Sequence, residues 1–474
     1  MSIVAMKARN GAGAKGTQEG GDVNDQNKGN KSKKVSDWWT KQFEEAQANL
    51  ERYLNWSWVE PSVWTTRMLT ALVKGVKGDK WFSLIDKVYA RPNLMAAFAK
   101  VKANKGAAGV DHQTIEMYEE DLEENLQRLS ESLKEGRYQP QAIKRVWIPK
   151  PGSSEKRGLG IPTVQDRIVQ AALGHVIEPI FEREFAEHSY GFRPERGCKD
   201  ALRRVDKLLH EGKTWIVDTD LKSYFDTIPH AQMVARVEEK IADGRVLKLI
   251  SQFLKQEVLN EGEEFEPETG TPQGGVISPL LANIYLNPLD HLMEQTGFEM
   301  TRYADDLVIM CQSKAEAGQA LELLKKWTAQ AGLKLHPDKT RVVDAMEPGG
   351  FDFLGYHFEQ GQKRPSRKSL KKLKDNIRSM TKRNNGQSLD RIINSLNQSL
   401  RGWFEYFKHS PYYIFRSADR WIRMRLRSIL RRREGRCGRG RGSDHHLWPN
   451  AYFEARGLFS LASAHAKACQ SSRR

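Results

Sequence analysis

The residues of this chain best suited to chemistry are acids set into apolar strands. Tyr303-Ala304-Asp305-Asp306 lies between Met300-Thr301-Arg302 and Leu307-Val308-Ile309-Met310, two adjacent carboxylates inside a β-favouring run. Buried carboxylates are unfavourable unless paired or metal-bound, so the pattern reads as a hairpin carrying its acids on the turn. About 85 residues earlier, Trp215-Ile216-Val217-Asp218-Thr219-Asp220-Leu221 is another short apolar run ending in acid, followed by Lys222-Ser223-Tyr224-Phe225-Asp226. Three carboxylates at strand ends suit two-metal phosphoryl transfer. Mg²⁺ takes oxygen ligands and shares them with substrate phosphates, and two ions about 4 Å apart clamp the attacking and leaving oxygens. In such a site Asp220 and Asp305 would bridge the ions, Asp306 would support them, and the Leu221 carbonyl is an extra candidate ligand.

These acids must be held by the surrounding elements. Leu122, Leu126, Leu129 and Leu133 are spaced as one helical face that stops at Gly136. Ile143 to Ile161 reads as two strands joined by Pro151-Gly152-Ser153-Ser154, and Ile168, Val169, Ala172, Leu173, Val176 and Ile177 again share a helical face. Helices are expected near Leu280–Leu292 and from Lys314 to Ala331, the latter ended by Gly332 and followed by a strand at Arg341-Val342-Val343. Beyond Pro365 the pattern is purely helical. Ile422, Leu426, Ile429 and Leu430 share one face, and Arg423, Arg425, Arg427 and Arg431 to Arg433 crowd the rest.

The acid motifs do not stand alone. Asn104-Lys105-Gly106-Ala107-Ala108-Gly109-Val110-Asp111, Arg145-Val146-Trp147-Ile148-Pro149-Lys150, Arg157-Gly158-Leu159-Gly160-Ile161-Pro162 and Ser189-Tyr190-Gly191-Phe192-Arg193-Pro194 precede or accompany them. Gly270-Thr271-Pro272-Gln273-Gly274-Gly275, Leu335-His336-Pro337-Asp338-Lys339-Thr340 and Leu400-Arg401-Gly402-Trp403 follow in order. Together they resemble a bacterial group II intron-encoded reverse transcriptase and maturase, from roughly Pro92 to Arg433. The resemblance implies an α+β, right-hand polymerase, with fingers and an antiparallel-sheet palm followed by an all-helical thumb and maturase (X) domain. It implies an RNA-directed DNA polymerase using two Mg²⁺ ions. Lys150 and Arg157 would clamp the incoming triphosphate, and Phe225 would be the steric gate excluding a 2′-hydroxyl. Gln273 and Gly274 would approach the template base pair, and Lys339 the leaving pyrophosphate. Tyr303 would pack beneath the primer end, and Phe353, Leu354 and Gly355 resemble the primer-grip hairpin.

Composition agrees. The 474 residues carry a formal net charge of +16, which points to a polyanionic partner. Gly361 to Arg441 holds 24 Lys/Arg against 5 Asp/Glu, so the rest of the chain is near −3. Trp403, Phe404, Tyr406, Phe407, Tyr412, Tyr413 and Trp421 interleave that basic segment. The resemblance makes it the RNA-holding domain, with Arg401, Trp403, Arg423, Arg425, Arg427 and Arg431 as the expected contacts to phosphate and sugar. Four cysteines without a C-x-x-C pair argue for a reducing cytoplasm and against a zinc ribbon. No apolar run is long enough to span a membrane, and the first residues lack a signal-peptide layout.

The expected organisation is a disordered tail at 1–35, an N-terminal helical extension at 36–90, fingers and palm at 91–360, and thumb and domain X at 361–435. Residues 436–474 read as a flexible basic linker and a short DNA-binding-like tail. Trp38, Trp39, Trp56, Trp58 and Trp64 read as core packing before base stacking. Many relatives end in an H-N-H endonuclease with paired cysteines, which this chain has neither the length nor the cysteines to form. The expected partners are intron RNA, target DNA, a primer–template duplex and deoxynucleotides. The rival readings are a maturase that has lost polymerisation, and a domesticated relative serving DNA repair or defence.

Overall fold

A computed structural model describes residues 56–149, 156–260, 263–384, 386–440 and 442–471. Compactness divides the chain at Trp58, and the elements below belong to the unit Val59–Arg474. Lys150, the Pro151–Ser154 turn, Trp38, Trp39 and the 1–35 segment lie outside the described residues.

Helix α1 (Leu122–Glu135) buries Leu126, Leu129 and Leu133 and ends at Gly136, whose φ of 73° closes the left-handed cap. Strands β1 (Ile143–Pro149) and β2 (Lys156–Ile161) pair antiparallel, with Ile148 opposite Arg157. Helix α2 (Val164–Glu182) is buried on all sides, from Val164 through Ile168, Leu173 and Ile177 to Phe181, as a helix running through a core must be. Trp64 packs beside it: the indole is buried and its Nε1 donates to His175 O at 2.8 Å.

After α3 (Cys198–His210) comes β3 (Trp215–Asp220); β4 (Val258–Asn260) and β5 (Glu263–Phe265) extend the first sheet to the order β2-β1-β4-β5. Helix α4 (Ser278–Gln295) leads into β6 (Glu299–Tyr303) and β7 (Asp306–Cys311), and α5 (Lys314–Gln330) into β8 (Arg341–Asp344). These strands form the central antiparallel sheet, ordered β6-β7-β3-β8. Val217, Leu307, Val308, Ile309, Met310 and Cys311 are fully buried in it, which explains the β-branched and apolar runs flanking the acids. Helices α3 and α5 pack against this sheet.

A third sheet, β11-β10-β9, is built from β9 (Phe351–Phe353), β10 (Tyr356–Glu359) and β11 (Gln362–Pro365). The rest is helical: α6 (Arg367–Met380), α7 (Leu389–Phe407), α8 (Tyr412–Arg433), two short helices, and α9 (Leu461–Ser471). Ile422, Leu426, Ile429 and Leu430 face inward as the periodicity requires.

The structure departs from the sequence reading after Arg433. Trp448, Phe453, Leu458 and Leu461 join the same core as Ile422 and Leu426. The buried Asp419 carboxylate of α8 accepts the Leu461 and Ala462 amides, both at 3.1 Å, at the start of α9. The stretch expected as a flexible linker is tied down as well, with Arg431 Nε donating to Cys437 O at 2.7 Å.

Candidate active site

The three acids meet at one end of the central sheet. Asp220 is the last residue of β3 and stands opposite Asp306, the first of β7; directly opposed side chains in such a pair have Cβ atoms about 5 Å apart. Asp305 occupies the β6–β7 turn, whose preceding Ala304 is left-handed at φ 58°. Burial pushes Asp306 up to about 7, with Asp305, Asp218 and Asp220 adding repulsion and the Leu354 amide opposing them. Asp305 is raised by burial and by Asp220, while Arg157 and Arg302 hold it down. Crowded carboxylates with raised affinity for positive charge are what a cation site consists of before its cation.

The end of β3 is clasped by the loop that carries Lys339. His336 N–H donates to Asp220 O and Lys222 N–H to Lys334 O, both at 2.8 Å, and buried Leu221 bridges to Leu335. That clasp brings the Lys339 ammonium into an ion pair with the Asp220 carboxylate.

The β1–β2 hairpin is docked on the Pro272–Gly275 turn. Arg157 Nε donates to Gln273 Oε1 at 2.6 Å, and Gly160 N–H to Gln273 O at 2.6 Å. Gly274, at φ 112°, leaves no space for a side chain: a Cβ there would lie 2.2 Å from Gly160 O. Phe225 is half-buried, its ring 5.4 Å from that of Tyr224, and its carbonyl accepts Thr271 N–H at 2.6 Å. Arg157, Gln273 and Gly274 are thus brought together where hairpin and turn meet, and Phe225 joins the turn through Thr271.

Sequence reasoning missed the supports of the acidic turn. Arg302 is fully buried: Nη1 donates to Ala304 O and to Asn283 Oδ1, both at 2.9 Å, and Nε donates to Asp290 Oδ1 at 2.7 Å. Asn283 Nδ2 in turn donates to Gly191 O at 2.7 Å. Gly191 lies so close beneath the turn that a Cβ would fall 2.3 Å from Ala304 N. The available signal was Arg302 itself, a cation inside an apolar strand, which needs a buried partner. Tyr303 faces Asp306 across the hairpin, its ring 6.4 Å from that of Phe192. Phe353 is buried, and Leu354-Gly355 forms the two-residue β9–β10 turn with φ 46° and 81°.

Comparison with known proteins places this geometry in a family. Residues 148–358 match the family of reverse transcriptases (RNA-dependent DNA polymerases), and residues 370–447 match the group II intron maturase-specific domain. Protein YkfC of Escherichia coli (strain K12) is 33% identical over 312 residues, covering 57% of this chain and 81% of that protein. The chain belongs to the group II intron-encoded reverse transcriptases. Group II intron-encoded protein LtrA of Lactococcus lactis subsp. cremoris is 36% identical over 233 residues, 48% of this chain but only 38% of the relative's length. Among solved structures, a chain of the "Partial Cas6-RT-Cas1--Cas2 complex" is similar at 25% identity and a TM-score of 0.35, over 52% of this chain and 41% of that one.

A reverse transcriptase domain implies a divalent cation, and the acids fit one chemically. Asp220, Asp305 and Asp306 offer oxygen only, the donor class of Mg²⁺. Among the described residues no group of three His, Cys, Asp or Glu side chains is already gathered to hold a metal ion.

The expected RNA-facing residues fare differently from the acids. Arg401 is exposed, stacked 4.7 Å above Phe459, whereas Trp403 packs between two apolar clusters. Arg427 must be corrected: it is 2% exposed, with Nε donating to Trp448 O and Nη2 to Asn450 Oδ1, both at 2.9 Å. Arg425 donates to Thr381 Oγ1 at 2.6 Å and stacks on Trp421, and Arg431 pairs with buried Asp444. The half-buried Arg423 completes the set. The C-terminal segment engages Arg427 and Arg431 of α8, a packing that the periodicity of α8 could not show. Other cations remain exposed: Arg416, Arg420, Arg432 and Arg433 on α8, and Arg367, Lys371, Lys374 and Arg378, which form a straight row along α6 at i, i+4, i+7 and i+11.

Proposed function

We propose that this protein is an RNA-directed DNA polymerase that also assists splicing of a group II intron RNA. The observation that carries the reading is the convergence of Asp220, Asp305 and Asp306 on one sheet end, within a family whose members are intron-encoded. The reaction is attack of a primer 3′-hydroxyl on a deoxynucleoside triphosphate, releasing pyrophosphate. Two Mg²⁺ ions held by Asp220, Asp305 and Asp306, with the Leu221 carbonyl as a further ligand, would supply electrostatic stabilisation of the attacking and leaving oxygens.

The chain's own groups do the positioning. Arg157, oriented by Gln273, presents its remaining N–H groups toward the triphosphate, with Lys150 as the second cation. Phe225 fills the space a ribose 2′-hydroxyl would need. Lys339 neutralises charge beside Asp220 and lies within reach of the leaving group. Gly274 and Tyr303 border the base pair and the primer end, alongside Phe353, Leu354 and Gly355. The cation row of α6 holds the duplex or folded RNA by its phosphates. Fingers and palm at 91–360 and the thumb and domain X at 361–435 divide these tasks. The helices after Arg433 complete the C-terminal core.

Splicing remains RNA-catalysed in this reading, with the protein stabilising the active RNA fold, and mobility proceeds by reverse transcription into target DNA. No described helix is long and apolar enough to cross a membrane, and the reading places the ribonucleoprotein in a bacterial cytoplasm.

The test is extension of a DNA primer on an RNA template with deoxynucleotides and Mg²⁺, combined with sequencing of RNA recovered with the protein from its host. Templated extension together with a lariat encoded around the gene supports both activities. Recovered lariat without extension reduces the protein to a maturase, and extension without lariat favours a domesticated enzyme.

A further inference from the structure

The catalytic hairpin and the C-terminal helices meet at one backbone turn. Leu354 has φ 46°, a left-handed conformation unfavourable for a branched side chain, so the surrounding structure must hold it there. Three hydrogen bonds reach the turn from the helical side, one of them to Leu354 itself. Tyr406 of α7 donates its hydroxyl to Leu354 O at 2.7 Å. Ser369 Oγ of α6 and the Ser366 amide both donate to Gly355 O at 2.9 Å. On the other side the Leu354 amide faces the Asp306 carboxylate. Leu354, Tyr303, Trp403 and Tyr406 each pack against the apolar cluster that contains Val308 and Met310 of β7. A left-handed turn therefore stands between an α7 hydroxyl and a carboxylate of the polymerase site.

We propose that Tyr406 is a positioning residue for polymerisation: by fixing the Leu354–Gly355 turn it sets the place of Asp306 and of Tyr303, linking the helical domain to the reaction. The inference rests on the polymerase reading above. Removing the hydroxyl leaves the Leu354 carbonyl without this donor and frees a strained turn to relax. The packing of the aromatic ring, 5.8 Å from Tyr356, is retained in phenylalanine. Ser369 bonds the other carbonyl of the turn, which keeps the Ser366 amide when the serine is lost, so it makes a matched control.

The experiment uses the full chain with a pre-annealed primer and template. Tyr406→Phe should lower the maximal rate of single-nucleotide addition by about tenfold, since small displacements of reacting groups are costly. Its KM for deoxynucleotide should stay at the wild-type value. Mn²⁺ titration followed by electron paramagnetic resonance, without nucleotide, should show weaker binding. Ser369→Ala should match wild type in both. Leu354→Asn, which tolerates the left-handed backbone but loses the apolar packing, should reproduce the rate loss and keeps the test usable should Tyr406→Phe fold poorly. A wild-type rate and Mn²⁺ affinity in Tyr406→Phe, a change confined to KM, or an equal loss in Ser369→Ala overturns the proposal. Asp305→Ala assayed in parallel separates the two failures: extension by that variant refutes the polymerase site itself, whereas its inactivity beside a normal Tyr406→Phe refutes only the positioning role.

Discussion

The sheet end that carries the acids and the helical region that carries the arginines treat charge in opposite ways. Around Asp220, Asp305 and Asp306 like charges are crowded, with Lys339 paired to Asp220 at the site and Arg302 paired to Asp290 behind it. In the helical region several prominent cations are hidden: Arg427 and Arg431 brace the C-terminal segment. Among the exposed cations left for a ligand are Arg367, Lys371 and Lys374 of the α6 row. The abundance of charge in a segment therefore says little about which of its residues can face a ligand. Arg367, Lys371 and Lys374 have no ion pair among the described residues, whereas Arg425 and Arg427 are bonded to the fold.

That contrast can be broken by substitution, beginning where the effect is largest. Asp220→Ala should reduce primer extension by about 10³-fold or more, as expected when an electrostatic element of a transition state is removed. Circular dichroism should show a folded protein, because Asp220 is partly exposed. Extension at a wild-type rate would mean that the acids are only an Asp-rich turn.

The next effect concerns pH. Burial raises Asp306 from an ordinary 3.8 to about 7, so between those values the unfolded chain releases a proton that the folded protein keeps. Stability of the metal-free protein then falls as pH rises through that window and stays low above it. Asp306→Asn removes the penalty, at most about 4 kcal/mol. In thermal melts with chelator the variant should be the more stable protein at about pH 8 and lose that advantage near pH 4, and Mg²⁺ should narrow the gap. A pH-independent difference would remove crowding as the cause.

Arg427→Met should destabilise the protein by about 3 kcal/mol through unsatisfied buried acceptors, seen as a lower melting temperature. Binding of RNA, measured under conditions where the variant stays folded, should be unchanged. Lys371→Ala and Lys374→Ala should do the reverse, leaving the melting temperature alone. Each should lower the log–log salt slope of RNA or duplex binding by about 0.7 to 0.9. An unchanged slope would make the α6 row a solvated face. At the nucleotide, Phe225→Ala should admit ribonucleotides, read by incorporation on the same template.

The sequence exposed the acidic site because motif spacing encodes register. Asp220 and Asp306 stand opposite each other at the ends of two paired six-residue strands, each with an apolar run, and Gly274 and Phe225 stand at close approaches of chain to chain. Helical periodicity likewise predicted the α1 and α8 faces. The supports were harder to see, because Asn283, Asp290 and Gly191 reach the turn through contacts distant in sequence. Arg427 was misjudged because its burial depends on where Trp448 and Asn450 pack, which a local pattern does not contain.

The most direct test assays Asp305→Ala and the Lys371→Ala/Lys374→Ala double variant side by side, for extension of a short annealed primer on RNA and for RNA binding across salt. The account predicts that Asp305→Ala binds RNA with the wild-type salt slope and adds no nucleotide, while the lysine variant extends the primer with a slope lower by about 1.4 to 1.8. Templated extension by Asp305→Ala would contradict it.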